Sequence, residues 1–145
     1  ERAAGEIPRT AVFSVEDLTG EFLGQGAVVA VEASPRGCEF GFQLMRTAWG
    51  RGVGTRLGQF LCAYAIELCD AYRLEGGCLE GNTGSATLLR KRGLQLEGSR
   101  PGYCVKAGVR YTELRFGGEV HRLDTAAFQK MALATGLLRG SGSTG

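Results

Sequence analysis

The stretch Trp49-Gly50-Arg51-Gly52-Val53-Gly54-Thr55 joins two segments of different periodicity, and that junction constrains the fold more than any other part of the chain. Upstream, residues 38–45 (CEFGFQLM) alternate, with Phe40 and Phe42 on one face and Glu39 and Gly41 on the other, which predicts a strand. Downstream, Leu57, Phe60, Leu61, Tyr64, Ala65, Leu68 and Tyr72 recur at helical spacing, so a helix is predicted over residues 55–72. A strand entering a helix through a glycine turn exposes several unpaired backbone N–H groups at the positive end of the helix dipole. That makes an anion site suited to a pyrophosphate, and glycine keeps side chains from holding the phosphate oxygens away.

The rest of the chain falls around this unit. Residues 10–17 (TAVFSVED) and 21–32 (EFLGQGAVVAVE), parted by Leu18-Thr19-Gly20, read as a hairpin. With the turn Ser34-Pro35-Arg36-Gly37 and the strand at 38–45 they make a three-stranded meander. Residues 73–79 form a short strand. Asn82 or Thr83 caps a second helix that runs through Leu88 and Leu89 and stops at Gly93. Residues 95–107 and 109–116 read as a terminal hairpin, and residues 125–138 as a last helix with Phe128, Met131, Ala132 and Leu138 apolar. A loose tail is expected from Ser141 to Gly145. The order is β-β-β-α-β-α-β-β plus a C-terminal helix, a mixed α/β (α+β) class. The expected division is one domain over 1–120, with a helical segment and tail over 121–145.

Composition removes several functions. The 24 glycines among 145 residues follow no G-x-y period and accompany only 3 prolines, so the chain is neither collagen-like nor of low complexity. A net charge of +2, with Arg90-Lys91-Arg92 the longest basic run, does not point to nucleic acid. Cys38, Cys62, Cys69, Cys78 and Cys104 are odd in number and lack C-x-x-C spacing, which argues against a disulfide framework or zinc and for a reducing cytoplasm. His121 is the only histidine, leaving little material for a metal site or a nucleophile–histidine triad. No apolar run is long enough to span a bilayer, so no membrane partner is expected. Among phosphate motifs, a P-loop would need a Lys that is absent. A dinucleotide fingerprint counted from Gly50 would put its third glycine at Thr55, and Asp70, at a ribose ligand's distance, falls within the predicted helix.

Four blocks, in order, are similar to one family. Trp49 to Gly54 resembles the acyl-CoA loop [QR]-x-x-G-x-[GA] of the GCN5-related N-acetyltransferases (GNAT), with Trp49 at the Gln/Arg position as in the RimJ/RimL-like branch. Residues 38–44 look like that branch's A-E-I-G-Y-x-L strand, and residues 82–94 like its N-x-x-S-x-x-L-L-x-K-x-G-F element, followed by Glu97-Gly98. Tyr111-Thr112-Glu113-Leu114 sits where the last strand would lie. The family's opening strand and two helices, which wall the acceptor site, have no counterpart before Thr10. Either the chain is a piece of a longer one or the segment after Val120 takes their place.

The resemblance implies a mainly antiparallel twisted sheet flanked by helices, and direct transfer of an acetyl group from acetyl-CoA to a primary amine. The acceptor would be a protein N-terminus or a small molecule such as an antibiotic or polyamine; a CoA-binding regulatory module is the alternative. A homodimer is compatible with it, and no metal is required. Glu39 is then the general base, which partial burial would suit to work near neutrality. Phe42, Leu44 and Met45 map to the strand that pairs with the pantetheine arm, with an N–H near Leu44 facing the thioester oxygen. Arg51, Gly52, Val53, Gly54 and Thr55 hold the pyrophosphate. Asn82 bonds the arm, or simply caps its helix; Ser85 protonates the departing thiolate, or is simply small. Arg90 and Lys91 meet the 3′-phosphate or stay solvated. Leu89 stands where many relatives carry an acid Tyr, so Tyr103 or a water would supply that proton. Cys104 reads as a buried small residue.

Overall fold

Alternating residues become strands in the structure, and each strand ends where a turn or a crowded neighbour requires it. The computed structural model describes residues 10–31 and 36–137. The Ser34-Pro35 turn, Leu138 and the tail from Ser141 lie outside these. Strands β1 (Thr10–Glu16), β2 (Phe22–Val31) and β3 (Gly37–Leu44) form the meander. Then come α1 (Val53–Leu68), β4 (Arg73–Leu79), α2 (Thr83–Lys91), β5 (Gln95–Lys106), β6 (Val109–Glu119) and α3 (Ala126–Thr135), the element order expected from the sequence.

The strands make one six-stranded sheet in the order β1-β2-β3-β4-β6-β5. Every neighbouring pair is antiparallel except β3 and β4, which run parallel. Parallel neighbours need a crossover, and α1 supplies it.

Alternation assigns the faces. Phe13, Val28, Cys38, Phe40, Leu74 and Phe116 point to the helices, where Phe13 meets the Phe60 and Tyr64 rings at 4.9 and 5.0 Å. Leu57, Leu61 and Ala65 of α1, Ala86 of α2, and Phe128 and Ala132 of α3 close the same core. Burying each large side chain there contributes about 1.5–3 kcal/mol. Val12, Val29, Glu39, Glu75, Glu113 and Arg115 lie on the other, open face. The described part of the chain after Val120 therefore packs on the helix side, against α1, and does not wall the open face.

Three elements differ from the sequence expectation by more than one residue at an end. Helix α1 spans Val53–Leu68, not 55–72: it starts earlier because Gly52 is its cap, and it stops early at a turn. In that turn Asp70 is left-handed (φ 52°) and the Ala71 N–H bonds the Ala65 carbonyl at 3.1 Å, so Asp70 lies past the helix, not in it. Strand β6 runs on through Gly117-Gly118, which pair with Glu75 and Leu74. These glycines continue the strand because neighbours fill their side-chain space. A Cβ at Gly117 would strike the Arg73 and Glu97 side chains, and one at Gly118 would lie 3.0 Å from Leu123 Cδ2. Gly26 of β2 likewise admits Leu61, whose Cδ1 would be 2.9 Å from a Cβ there. Helix α3 ends at Thr135, where Gly136 turns left-handed (φ 78°).

Candidate active site

The parallel pair β3–β4 is short. It holds over Gly37↔Arg73, Cys38↔Leu74 and Glu39↔Glu75, after which the strands part into a fork: β3 stays with β2 and β4 with β6. Hydrogen-bond alternation shows what faces the gap. The Met45 N–H bonds the Leu23 carbonyl at 2.8 Å, and Gln43 and Gly41 stand opposite Gln25 and Ala27 in the same register. Odd-numbered residues of β3 thus exchange bonds with β2, and the N–H and C=O groups of Phe42 and Leu44 are aimed into the fork.

The glycine loop sits at the open end. Gly52 caps α1 at φ 75°, a conformation that favours glycine, and no side chain caps this helix. The first amide to bond back is Arg56, to the Gly52 carbonyl at 3.2 Å, so the amides of Val53, Gly54 and Thr55 lack intrahelical partners. Three arginines belong to the same stretch of chain. Arg56 Nε reaches the Gly52 carbonyl at 3.4 Å, Arg51 Nη1 the Thr47 carbonyl at 3.3 Å, and Arg46 lies over the exposed Trp49 ring at 5.3 Å.

Between the fork, α1 and α2 lies a cleft of about 170 Å³, lined among others by Phe42, Gly54, Gly58, Gly76, Ser85 and Leu89. A second depression of about 250 Å³ lies on the open face against Val12, Gln25, Ala27 and Gln43. The two share Gly41 and Phe42, so β3 alone separates them.

The structure places the expected residues unevenly. Phe42, Gly54, Thr55 and Ser85 line the cleft, and Arg51 and Gly52 form the loop beside it. Val53 is buried with Leu23 and Ala48, Leu44 is half-buried beside Gly54, and the Met45 side chain is exposed. Asn82 serves as a cap, its Oδ1 accepting from the Ser85 N–H at 3.2 Å, and it does not line the cleft. Tyr103 stands apart: half-exposed on β5, its ring lies 4.7 Å from the Arg100 guanidinium. Arg90 covers the Phe116 ring at 5.2 Å, whereas Lys91 lines the cleft. Sequence reasoning missed Gly58, Gly76, Gly77, Leu88 and Phe128, which also line it. Two signals were present: Gly58 lies one turn after Gly54 on α1, and a Gly-Gly pair inside a strand marks a close approach.

Glu39 lies at the fork's apex on the open face, its side chain 45 % exposed, and accepts from Arg115 at 3.1 Å. Arg115 also meets Glu75 at 3.5 Å and Glu113 at 3.3 Å. Glu113 is buried and accepts from Arg100 at 2.7 Å; Arg73 pairs with Glu75 at 3.3 Å and with Glu97. Burial works against the charge on Arg115, but Glu39 and Glu113 outweigh it and hold the guanidinium's proton more tightly than usual. All five cysteines are free. The Cys69 thiol, with burial, pushes Cys38 up, and burial alone pushes Cys62 up, so neither serves as a thiolate nucleophile. Cys104 is half-buried, not buried. Among the described residues no three His, Cys, Asp or Glu side chains converge to hold a metal, and no helix is long and apolar enough to cross a membrane.

A sheet forked between parallel strands, with a helix N-terminus opening on the fork, is the architecture of an acetyltransferase fold, and solved structures bear this out. A protein assigned as a phosphinothricin N-acetyltransferase superposes with TM-score 0.67 at 23 % identity, over 81 % of this chain and 75 % of its own. The spermidine/spermine N-acetyltransferase SpeG from Vibrio cholerae, in complex with manganese ions, gives TM-score 0.68 at 16 % identity, over 84 % and 69 %. A GNAT-family acetyltransferase from Streptococcus pneumoniae gives 0.64 at 18 % identity, over 77 % and 67 %. At these identities the likeness is one of fold. No curated protein sequence matches. The family model described as Acetyltransferase (GNAT) domain matches residues 2–95, well over half of the chain, and the protein belongs to the GNAT acetyltransferase family.

Proposed function

We propose that this chain transfers an acetyl group from acetyl-CoA to a primary amine, with the donor on the helix side of the fork and the amine arriving from the open face. One observation carries the reading: Gly54 and Thr55, whose amides are free at the start of α1, and Phe42, whose amide faces the fork, line the same cleft. The first set suits a pyrophosphate, and the second suits an extended, amide-bearing arm. The cleft fits such an arm because Gly54 and Gly58 leave its α1 wall without side chains at those two positions.

Acetyl-CoA supplies the activated thioester carbonyl. The amides of Val53, Gly54 and Thr55, with the nearby Arg51, hold the pyrophosphate. The Leu44 N–H donates to the thioester oxygen and stabilises the charge that grows there as the amine adds. Glu39, on the acceptor side of the apex, takes one proton from the incoming ammonium, directly or through a water, so that the nitrogen lone pair can attack. Ser85 donates its hydroxyl proton to the departing thiolate and is reprotonated by the second proton that the nitrogen sheds as the amide forms. Asn82 acts indirectly, by fixing the first turn of α2 and with it Ser85. Tyr103, outside the cleft, takes no step.

Structural neighbours named for spermidine and phosphinothricin favour a small amine over a protein N-terminus as the acceptor. The test is thiol release from acetyl-CoA with spermidine, phosphinothricin and a short peptide bearing a free N-terminus. Amine-dependent release is expected. Binding of CoA with no release on any acceptor would refute the transferase reading and leave a CoA-binding module.

A further inference from the structure

The charged lattice on the open face is more than a solvated surface, because its centre coincides with the apex of the fork. Glu39 and Glu75 are the last register partners of β3 and β4, and both side chains lie on the open face. Like charges directly opposite on neighbouring strands repel and would push the strands apart at that position. Arg115 meets both: its guanidinium is 3.1 Å from Glu39 and 3.5 Å from Glu75. It reaches them from β6 by crossing β4 over Gly77, its register partner. A Cβ at Gly77 would lie 2.9 Å from Arg115 Nη1 and 2.5 Å from Glu113 Oε2, so the crossing needs a residue without a side chain. Glu113, its side chain 10 % exposed, backs the guanidinium at 3.3 Å.

We propose that Arg115 is a positioning residue of this site, a clasp that draws Glu39 and Glu75 to one guanidinium and so fixes where the fork opens and how Glu39 faces the acceptor. The assignment rests on the proposed transferase reading only for the role of Glu39; the clasp itself is a statement about the fork. The order of exposure agrees with it, since the Arg115 side chain is 18 % exposed and Glu39 45 %. The guanidinium is the fixed inner group, and Glu39 the outer one that meets a ligand. Planarity matters as well, because one guanidinium presents donors to several carboxylates at once where an ammonium is a point charge. The other charges facing the apex are Arg73 and Glu75 on β4, Glu113 on β6, and Arg100 and Glu97 on β5. Loss of Arg115 would leave Glu39 without its cation and opposite Glu75 with nothing to draw the two together, while Arg73 still meets Glu75 and Arg100 still meets Glu113.

The experiment compares wild type with Arg115→Met, Arg115→Lys and Gly77→Ala. The last keeps every charge but displaces the guanidinium, whose flexible end can yield without unfolding the strand, so it carries the test should Arg115→Met fail to fold. Expected for Arg115→Met is a fall in kcat of about tenfold with KM for acetyl-CoA nearly unchanged. Arg115→Lys should recover part of kcat, and Gly77→Ala should lower kcat in the same way. Carboxylate ¹³C chemical shifts by NMR give a readout independent of turnover: the Glu39 and Glu75 signals both move in Arg115→Met. Carboxylate shifts and kcat both as in wild type would overturn the clasp. A wild type that fails to turn over on any amine would instead refute the transferase reading, and the carboxylate shifts would still decide the clasp.

Discussion

Replacing Gly52 by valine separates the loop's proposed role as an anion cradle from its role as a turn. Gly52 caps α1 at φ 75°, and no atom lies within 4 Å of a Cβ built there. The substitution therefore meets no steric wall, and its cost is that of the left-handed backbone, about 1–2 kcal/mol for an L-residue. Valine relieves that strain by rotating φ back to negative values, which swings the neighbouring amides away from the cleft. Each charge-assisted bond lost to a phosphate oxygen weakens binding by about 1.5–3 kcal/mol, or about 10- to 150-fold. Gly50 supplies the control, since it has φ 73°, equally open surroundings and a place ahead of the helix cap. Gly50→Val should cost similar stability while leaving CoA affinity within about threefold. Thermal melts and calorimetric titration with CoA measure the two quantities on each variant. If Gly52→Val binds CoA as wild type does, the start of α1 is not the pyrophosphate site.

Glu39→Gln should lower turnover by about 10²-fold or more while CoA affinity is retained, and full turnover with an unchanged pH profile would remove Glu39 from the mechanism. Leu61 is fully buried between α1 and the sheet, so Leu61→Ala should cost about 3–5 kcal/mol, read as a fall in the denaturant midpoint. In the native protein an aromatic disulfide reagent should label Cys104 rapidly, because the other four thiols are buried, and Cys104→Ser should abolish the fast phase. The Asp17 carboxylate accepts from the Thr19 hydroxyl at 2.6 Å and from the Glu21 and Thr19 amides, which holds it below its usual value of 3.8. A group depressed on folding adds stability above its unfolded value and loses it as pH falls through the folded one. Protection of the Thr19 and Glu21 amides, each referred to its intrinsic exchange rate, should thus hold above pH 3.8 and fall only below it.

Local pattern sufficed wherever a structural cause acts within a few residues. Alternation in TAVFSVED and CEFGFQLM, helical spacing from Leu57 onward, and glycines at the element ends carry the strands, the helices and their order. The shape of the glycine loop was legible for the same reason: a cap, a left-handed glycine and free amides are all set by adjacent residues. Contacts between distant segments were not legible. Gly117 looked like a strand end because nothing nearby shows that Arg73 and Glu97 occupy its side-chain space. Asn82 could be a cap or a ligand until α2 was seen to use it as a cap. Tyr103 looked available as an acid, but β5 carries it away from the cleft. Glu39 was legible as an acid on a strand, but its tie to Arg115, 76 residues further along, was not. Sequence alone determined which elements form and where a glycine turn starts a helix with its first amides free. Only the sheet order, with β4 between β3 and β6, brought Arg115 across Gly77 to the apex of the fork, because pairing between distant strands depends on the packing of the whole sheet and leaves no periodic trace in the chain.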